Sequence, residues 1–342
     1  MTAHGVQPDI GHSDNMKSSE LKPSRVAVCM ATHNPRAAAV ARQIDSIRRQ
    51  TFPQWHCFIS DDASDETSIG YLTDAIAGDK RFSVMRNQTR TGFYLNFERA
   101  LSFDTGSFTH VALADQDDIW RPEKLELLVP LVEGRFRLAY SDLRIIGPAE
   151  EVLSPTFWIK RQNNYRDLGR LLVANCVTGS AAVFSVDLLP LVLPFPPPHP
   201  SSFHDHWIAC AALATGELAF LPDALVDYAQ HDENVIGHAQ DRAAAGMMAI
   251  RRLQPQVLSQ IVSDDLRRIA EMASAILDRA HGPLDAGKQR TLLGASRAGS
   301  DWEGVRWLAS LTARGLRSTQ QTMGLERRLL AAALWARLSR TR

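Results

Sequence analysis

The sequence predicts an α/β fold: a mixed, mostly parallel sheet flanked by helices, followed by a helical C-terminal extension. Short β-rich runs alternate with stretches of helical periodicity from Arg25 to about Val132, the pattern of successive βα units whose crossovers cover both faces of a sheet. Polar clusters follow directly on several of the apolar runs. From about Arg242 onward the chain is Ala, Leu and Arg at helical spacing.

The elements follow in order. The run from Arg25 to Ala31 is apolar without interruption, as suits a strand covered on both faces, and it ends at Thr32-His33-Asn34-Pro35. Val40, Ile44 and Ile47 predict a helix over 36–50. Trp55 to Ser60 reads as a second strand ending at Asp61-Asp62-Ala63-Ser64. A helix over about 67–77 comes next, with Ser64 or Asp65 as its cap. Phe82 to Met85 makes a short third strand, and a helix from Phe93 to Leu101 leads to the strand His110 to Ala114. Pro122 suits the first turn of a helix running to Val132. Further strands are expected at 138–142, 181–184, 218–220 and 224–228, with a helix from Ile208 to Thr215 opened by His204-Asp205-His206-Trp207. The boundaries drawn on this basis are a flexible tail over 1–24, an α/β domain over 25–238 and a helical region over 239–342.

Composition narrows the function. A chain of 342 residues with 45% hydrophobic content can bury a full core. Lys+Arg and Asp+Glu balance at 38 each, which argues against a general nucleic-acid binder and its surplus positive charge. Cys29, Cys57, Cys176 and Cys210 are scattered in apolar contexts without a CxxC pair, so buried thiols in a reducing, cytoplasmic compartment are expected. The first 24 residues lack the apolar core of a secretory signal. No window approaches the ~18 uninterrupted apolar residues of a membrane span.

The most informative segment is Asp115-Gln116-Asp117-Asp118-Ile119, where an apolar strand delivers three carboxylates to one turn. Crowded carboxylates repel unless a cation or a donor array neutralises them. Hard oxygen ligands on a loop suit Mg²⁺ or Mn²⁺, which reach substrate phosphates through one or two protein carboxylates. In a doubly wound sheet ligands bind beyond the carboxyl ends of the strands. Thr32-His33-Asn34, Asp61-Asp62 and Asp115 to Asp118 all stand at such ends and should meet at one crevice.

These residues resemble the family-2 inverting glycosyltransferases, which have the GT-A fold, and most closely the rhamnosyltransferase-like bacterial members that build surface polysaccharides. The matching landmarks are Ala31 to Asn34, Ser60 to Ser64, Ala114 to Trp120, Asn175 to Ser180, His204 to Trp207, and Gln230-His231 with Asn234 to Gly237, in the family's order over about 25–238. Two positions depart from it: the family often has Tyr where His33 stands and Gly where Ala63 stands.

The resemblance implies a metal-dependent inverting transfer of a sugar, with L-rhamnose from dTDP-rhamnose one candidate, to a glycan or lipid-linked acceptor. It implies that Thr32, His33, Asn34, Asp61 and Asp62 surround the nucleotide, that Asp115 lies near the ribose, and that Asp117 ligates Mg²⁺ or Mn²⁺ on the diphosphate. Asp205 is the candidate general base, Thr178 and Gly179 line the sugar or acceptor side, and His231 is a second metal or diphosphate contact. Plainer readings stand beside these: Asp61 to Ser64 as a turn and helix cap, Asp205 as an N-cap, and His231 as a structural histidine. A nucleotidyltransferase would need a Gly-rich phosphate loop after the first strand, which Thr32-His33-Asn34-Pro35 does not supply. A non-catalytic glycan-binding protein on the same fold is the remaining alternative. The stretch Leu325 to Leu338 sets Leu and Trp335 among arginines. That suits a peripheral helix on an anionic membrane, or one packed on its own domain or on a twin subunit in a homo-oligomer.

Overall fold

The computed structural model describes residues 24–158, 162–229, 255–315 and 321–338. His231, the neighbouring landmarks Gln230 and Asn234 to Gly237, the tail before Ser24 and the start of the helical region lie outside these residues.

The first half follows the expected alternation. Strand β1 (Val26–Thr32) leads to α1 (Ala37–Arg48), β2 (Trp55–Asp61) to α2 (Glu66–Ile76), and β3 (Phe82–Arg86) to α3 (Phe93–Ala100) and β4 (His110–Ala114). The cap of α2 is Asp65, whose carboxylate accepts from the Ser68 N–H. After the two-residue β5 (Ile119–Trp120), α4 (Lys124–Leu128) is shorter than the predicted helix to Val132. Pro130 has no N–H for the Glu126 carbonyl, and the chain continues as a 3₁₀ turn over Val129–Leu131.

The second half adds β6 (Phe136–Ile146), β7 (Val152–Ser154), α5 (Leu168–Val173), β8 (Ala182–Ser185), α6 (Leu189–Val192), α7 (His204–Thr215) and β9 (Glu217–Ala229). The two short strands expected at 218–220 and 224–228 are one strand, β9. Its register against β6 jumps from Ser141↔Leu221 to Asp142↔Ala224, so Pro222, which cannot donate to the ladder, and Asp223 are accommodated as a bulge. Among the described residues four helices follow: α8 (Pro255–Arg279), α9 (Ala286–Ala295), α10 (Trp302–Gly315) and α11 (Leu325–Leu338).

Among the described residues, nine strands form one sheet in the order β3-β2-β1-β4-β8-β6-β9-β5, with β7 on β6. The β3-β2-β1-β4 portion is parallel, and β8 turns the sheet antiparallel. Both faces are buried. Ala27 and Cys29 of β1, Val111 and Leu113 of β4 and Phe184 of β8 face a core shared with α3, α5 and α7, while Val28, Met30, Ala112 and Val183 face the layer of α1 and α4. Period-2 alternation between two apolar layers explains why these strands read as unbroken apolar runs.

The chain leaves β1 toward β2 and β3, then returns to place β4 on the other side of β1. The crevice at such a topological switch is where α/β sheets take ligands, and here it opens between Thr32 and Asp115. The helical region continues the first core: Ile269 and Ile276 of α8, Leu292 of α9, Leu308 of α10 and Leu329 of α11 belong to the same cluster as Trp207. No helix among the described residues is long and apolar enough to cross a membrane.

Candidate active site

The carboxyl ends of β1, β2 and β4 are stitched together by side chains. Thr32 donates its hydroxyl to Asp61 (3.2 Å), and Asn96 of α3 donates to the carbonyls of Thr32 (3.2 Å) and Ser60 (2.9 Å). The His33 N–H donates to Gln116 (2.8 Å), whose amide donates back to the His33 carbonyl (3.2 Å). The loop after β1 is thereby fixed to the acidic turn. The His33 ring contacts the Asp62 carbonyl at 2.8 Å through Nδ1. A carbonyl only accepts, so Nδ1 carries the proton and Nε2 keeps its lone pair. Asn34, with φ of 43°, bonds to Ser64 and Asp65 in opposite senses: its N–H donates to Ser64 Oγ and its Oδ1 accepts from the Asp65 N–H. Ala63 sits at φ 55°, the left-handed region that explains the family's preference for Gly there.

The adjacent pair Asp61 and Asp62 is wholly buried but differently used. Asp61 accepts from Ser64 and has the Arg86 guanidinium 3.7 Å away, while Arg86 also donates to the Ser64 carbonyl (2.5 Å). Asp62 accepts four donors from one loop: Asn87 Nδ2 (3.0 Å), the Thr91 N–H and hydroxyl, and the Gly92 N–H (2.8 Å each). Burial alone would raise the Asp62 carboxyl, but these donors outweigh it and hold it below the usual carboxylate range. Its oxygens hold the 87–92 loop in place.

The acidic turn shows the crowding that its composition implies. Burial, then the charges of Asp117 and Asp205, push Asp115 up to about 7. Asp118 is fully buried and raised by burial and by the charges of Asp115 and Asp117. The Ala229 N–H donates to Asp118 (3.3 Å), tying the turn to β9. Asp115, Asp117 and Asp205, up to 90 residues apart in sequence, therefore share one electrostatic neighbourhood.

Asp205 occupies the first turn of α7, and Phe203 rather than Asp205 is the N-cap. Its carboxylate accepts from Asn175 Nδ2 (2.9 Å), the Gly179 N–H (3.0 Å) and the His206 N–H (2.6 Å). Burial pushes it up to about 6 against these donors. Gly179 is required by space: a Cβ there would meet His204 Nε2 at 2.7 Å and Asp205 Cβ at 3.4 Å. His204 stacks on Phe97 with centroids 3.6 Å apart, and burial pushes it down to about 3, so it is neutral. Thr178 is half-buried at the start of the same turn, where its carbonyl accepts from the Ala181 N–H. His206 contacts the Leu171 carbonyl through Nε2 (2.6 Å) and Arg268 through Nδ1 (3.0 Å), so both ring nitrogens are engaged within the protein.

Among the described residues no group of three or more His, Cys, Asp or Glu is gathered to hold a metal by itself. Mg²⁺ and Mn²⁺ do not require one, because they take one or two carboxylates and complete their shell with phosphate and water. The crowded carboxylates of the acidic turn are a donor set of the kind such an ion takes, and Asp117 is half-exposed beside Asp115.

Residues 27–190 match the family described as Glycosyl transferase family 2. The match runs from β1 into α6, a little under half of the chain. UDP-Glc:alpha-D-GlcNAc-diphosphoundecaprenol beta-1,3-glucosyltransferase WfgD of Escherichia coli is 27% identical over 124 residues, 36% of this chain and 47% of that protein. The protein y4gI of Sinorhizobium fredii is 27% identical over 127 residues, 37% of this chain and 13% of its own length. The chain thus spans about half or less of these curated relatives. Among solved structures, S. aureus TarS 1–349 in complex with UDP-GlcNAc matches with a TM-score of 0.56 at 14% identity, covering 93% of this chain and 91% of that one. At that identity the likeness shows the fold: a GT-A-like mixed sheet flanked by helices, with a helical C-terminal region.

Two residues at this site escaped the sequence reading. Arg86 closes β3 and braces Asp61, and Lys124 lies beneath the acidic turn. An Arg ending an exposed strand carries no signal, and Lys124 in Pro-Glu-Lys-Leu-Glu reads as an ordinary solvated helix residue.

Proposed function

We propose that the chain is a metal-dependent inverting glycosyltransferase that moves a sugar from a pyrimidine nucleoside diphosphate to a glycan or lipid-linked acceptor in surface polysaccharide synthesis. The observation that carries this reading is the neighbourhood of three carboxylates at the sheet's switch point, where both Asp117 and Asp205 act on Asp115. WfgD is named for a UDP sugar and a diphosphoundecaprenol-linked acceptor, which supports the donor and acceptor classes. L-rhamnose from dTDP-rhamnose is a donor of the same pyrimidine class and belongs in the same screen as UDP-glucose and UDP-N-acetylglucosamine.

In this reading Asp205 takes the proton of the acceptor hydroxyl as its oxygen attacks the anomeric carbon. The bond from that carbon to the diphosphate breaks on the opposite face, and the configuration inverts. A carboxylate held near pH 6 is mostly ionised at neutral pH yet basic enough to accept the proton. Asn175 and Gly179 aim it by donating to its oxygens. Thr32, Asp61 and the loop held by Asp62 form the nucleotide side, with Asp115 toward the ribose. Asp117 would hold the divalent ion, which supplies positive charge against the leaving diphosphate.

The test pairs two variants. Asp205→Asn is expected to bind UDP or dTDP with Mn²⁺ normally and to lower turnover by roughly 10²- to 10⁴-fold, the scale of general-base loss. Asp117→Ala is expected to lose the Mn²⁺-dependent part of nucleotide binding in calorimetry. Full turnover in the first variant removes the base; unchanged Mn²⁺-dependent affinity in the second removes the metal ligand.

A further inference from the structure

Lys124 is a charged side chain with no exposed surface in a molecule that has ample surface for lysines. A buried ammonium is costly unless compensated, and an apolar residue of the same volume is commonly neutral or stabilising in such a place. Its surroundings show what the charge does there. Nζ donates to the Ser180 carbonyl at 2.5 Å and lies 3.2 Å from the centroid of the Trp120 ring. Trp120 is itself fixed in β5 at the end of the acidic turn, with its backbone N–H donating to Ser46 Oγ (3.0 Å). Burial pulls the Lys124 ammonium well below its ordinary range, and the charges of Asp118 and Asp115 act against that shift.

Ser180 belongs to the 3₁₀ turn Gly179–Ala181. The Gly179 N–H one residue earlier donates to Asp205 Oδ2, and Asn175, which leads into this turn, donates to Oδ1. A short path of contacts therefore runs from Trp120, at the end of the acidic turn, through Lys124 to the Ser180 carbonyl, and through Gly179 to the carboxylate of α7. It joins two segments more than 50 residues apart, beside Asp118 of the acidic turn, whose carboxyl the Ser180 hydroxyl also affects.

We propose that Lys124 is a positioning residue that sets the distance between the diphosphate-binding acidic turn and the turn that aims Asp205. The inference rests on the functional reading above for the roles of the two ends, and on the contacts of Lys124 for the link between them. A transfer reaction needs its base and its leaving-group site at a fixed separation across the sugar, and a misplacement of about 1 Å can cost about 10²-fold. Lys124 is suited to the task because its Nζ lies against the Trp120 ring at the end of the acidic turn on one side and donates to the Ser180 carbonyl on the other.

The test uses the full chain and Lys124→Met, which keeps the volume and deletes the charge. With UDP and Mn²⁺ as the binding probe, affinity is expected to stay within about threefold of the parent. Turnover on whichever nucleotide sugar the parent hydrolyses should fall by about 10²-fold, and Lys124→Arg should recover part of it. A kcat within about threefold of the parent overturns the proposal, as does an affinity loss that accounts for the whole effect. Should Lys124→Met fail to fold, Asp118→Asn/Lys124→Met removes both buried charges and is compared with Asp118→Asn alone. Turnover about 10²-fold below that single variant supports the positioning role, whereas equal turnover reduces Lys124 to a partner for the Asp118 charge. A crystal structure of the folded variant gives a readout independent of activity. The Gly179 N–Asp205 Oδ2 bond, 3.0 Å here, should be broken or the turn displaced, and an unmoved turn overturns the proposal. A parent chain that acts on no nucleotide sugar defeats the functional reading, and a displaced turn in Lys124→Met would still establish the link.

Discussion

The chemistry of this chain is concentrated in a few carboxylates whose behaviour is set by what donates to them. Asp62 and Asp205 are both buried, yet one is held below the usual range and the other is raised to about 6. The difference follows from Asp62 receiving two backbone donors and two side-chain donors from a single loop, while at Asp205 the cost of burial outweighs the donors it has. Asp205 thus favours its protonated form in the folded chain. Its contribution to stability is complete below the ordinary carboxylate value of 3.8 and is lost as pH rises through about 6. Denaturant titrations are expected to show a loss on the order of 3 kcal/mol between those limits that Asp205→Asn removes. The same ionisation should appear as an acid limb near pH 6 in kcat/KM if Asp205 is the base. Gly179→Ala offers a geometric check. The His204 ring is caught between Phe97 and the new methyl group, so the base must shift, and turnover should drop by about 10²-fold with little change in nucleotide affinity.

At this scale the sequence was informative about carboxylates and poor on what surrounds them. Asp115 and Asp117 follow an apolar strand, and that adjacency alone placed them at a sheet end. Whether a given aspartate faces a ligand or its own backbone depends on donors such as Thr91 and Gly92, 29 and 30 residues from Asp62, which no local pattern reveals.

The elements were legible where burial imposes a period. Strand β4 fell on His110–Ala114 because both of its faces are apolar, and the cap at Asp65 followed from its chemistry. Misreadings came at prolines, with α4 shortened before Pro130 and β9 carried through Pro222 as a bulge. Helix α8 was visible only as part of an Arg- and Ala-rich stretch. The structure gives it a specific duty: buried Arg268 donates to His206 Nδ1 (3.0 Å) and to Ser201 (3.1 Å), and Ser201 donates to Asp265 (2.7 Å). His206 directly follows Asp205, so α8 steadies the helix that bears Asp205. Arg268→Met should leave His206 and Asp265 without their buried partner, costing about 3 kcal/mol in denaturant unfolding, and should lower kcat more than it changes nucleotide affinity.

For the whole molecule, the four C-terminal helices extend one hydrophobic core, and α11 buries Leu329 and Ala333 against it. The final helix therefore packs on its own chain, the plainer of the alternatives its sequence allowed. Its outer side carries Arg327, Arg328, Ala331, Trp335 and Leu338 in one stripe at helical spacing, with Trp335 74% exposed and Leu338 58%. Two arginines beside an outward Trp and Leu suit an anionic lipid surface. Trp335→Ser/Leu338→Ser spares the inner face, and it is expected to weaken sedimentation with vesicles containing anionic lipid without lowering the melting temperature. Equal sedimentation would leave the stripe as ordinary surface.

The docking of α8 against α7 has a mechanical consequence. The imidazole of His206 is clamped from behind by a guanidinium that belongs to a helix more than 60 residues further along the chain. Anything that levered that helix outward would slacken the clamp beside Asp205, while the strands that carry the acidic turn stayed where they are.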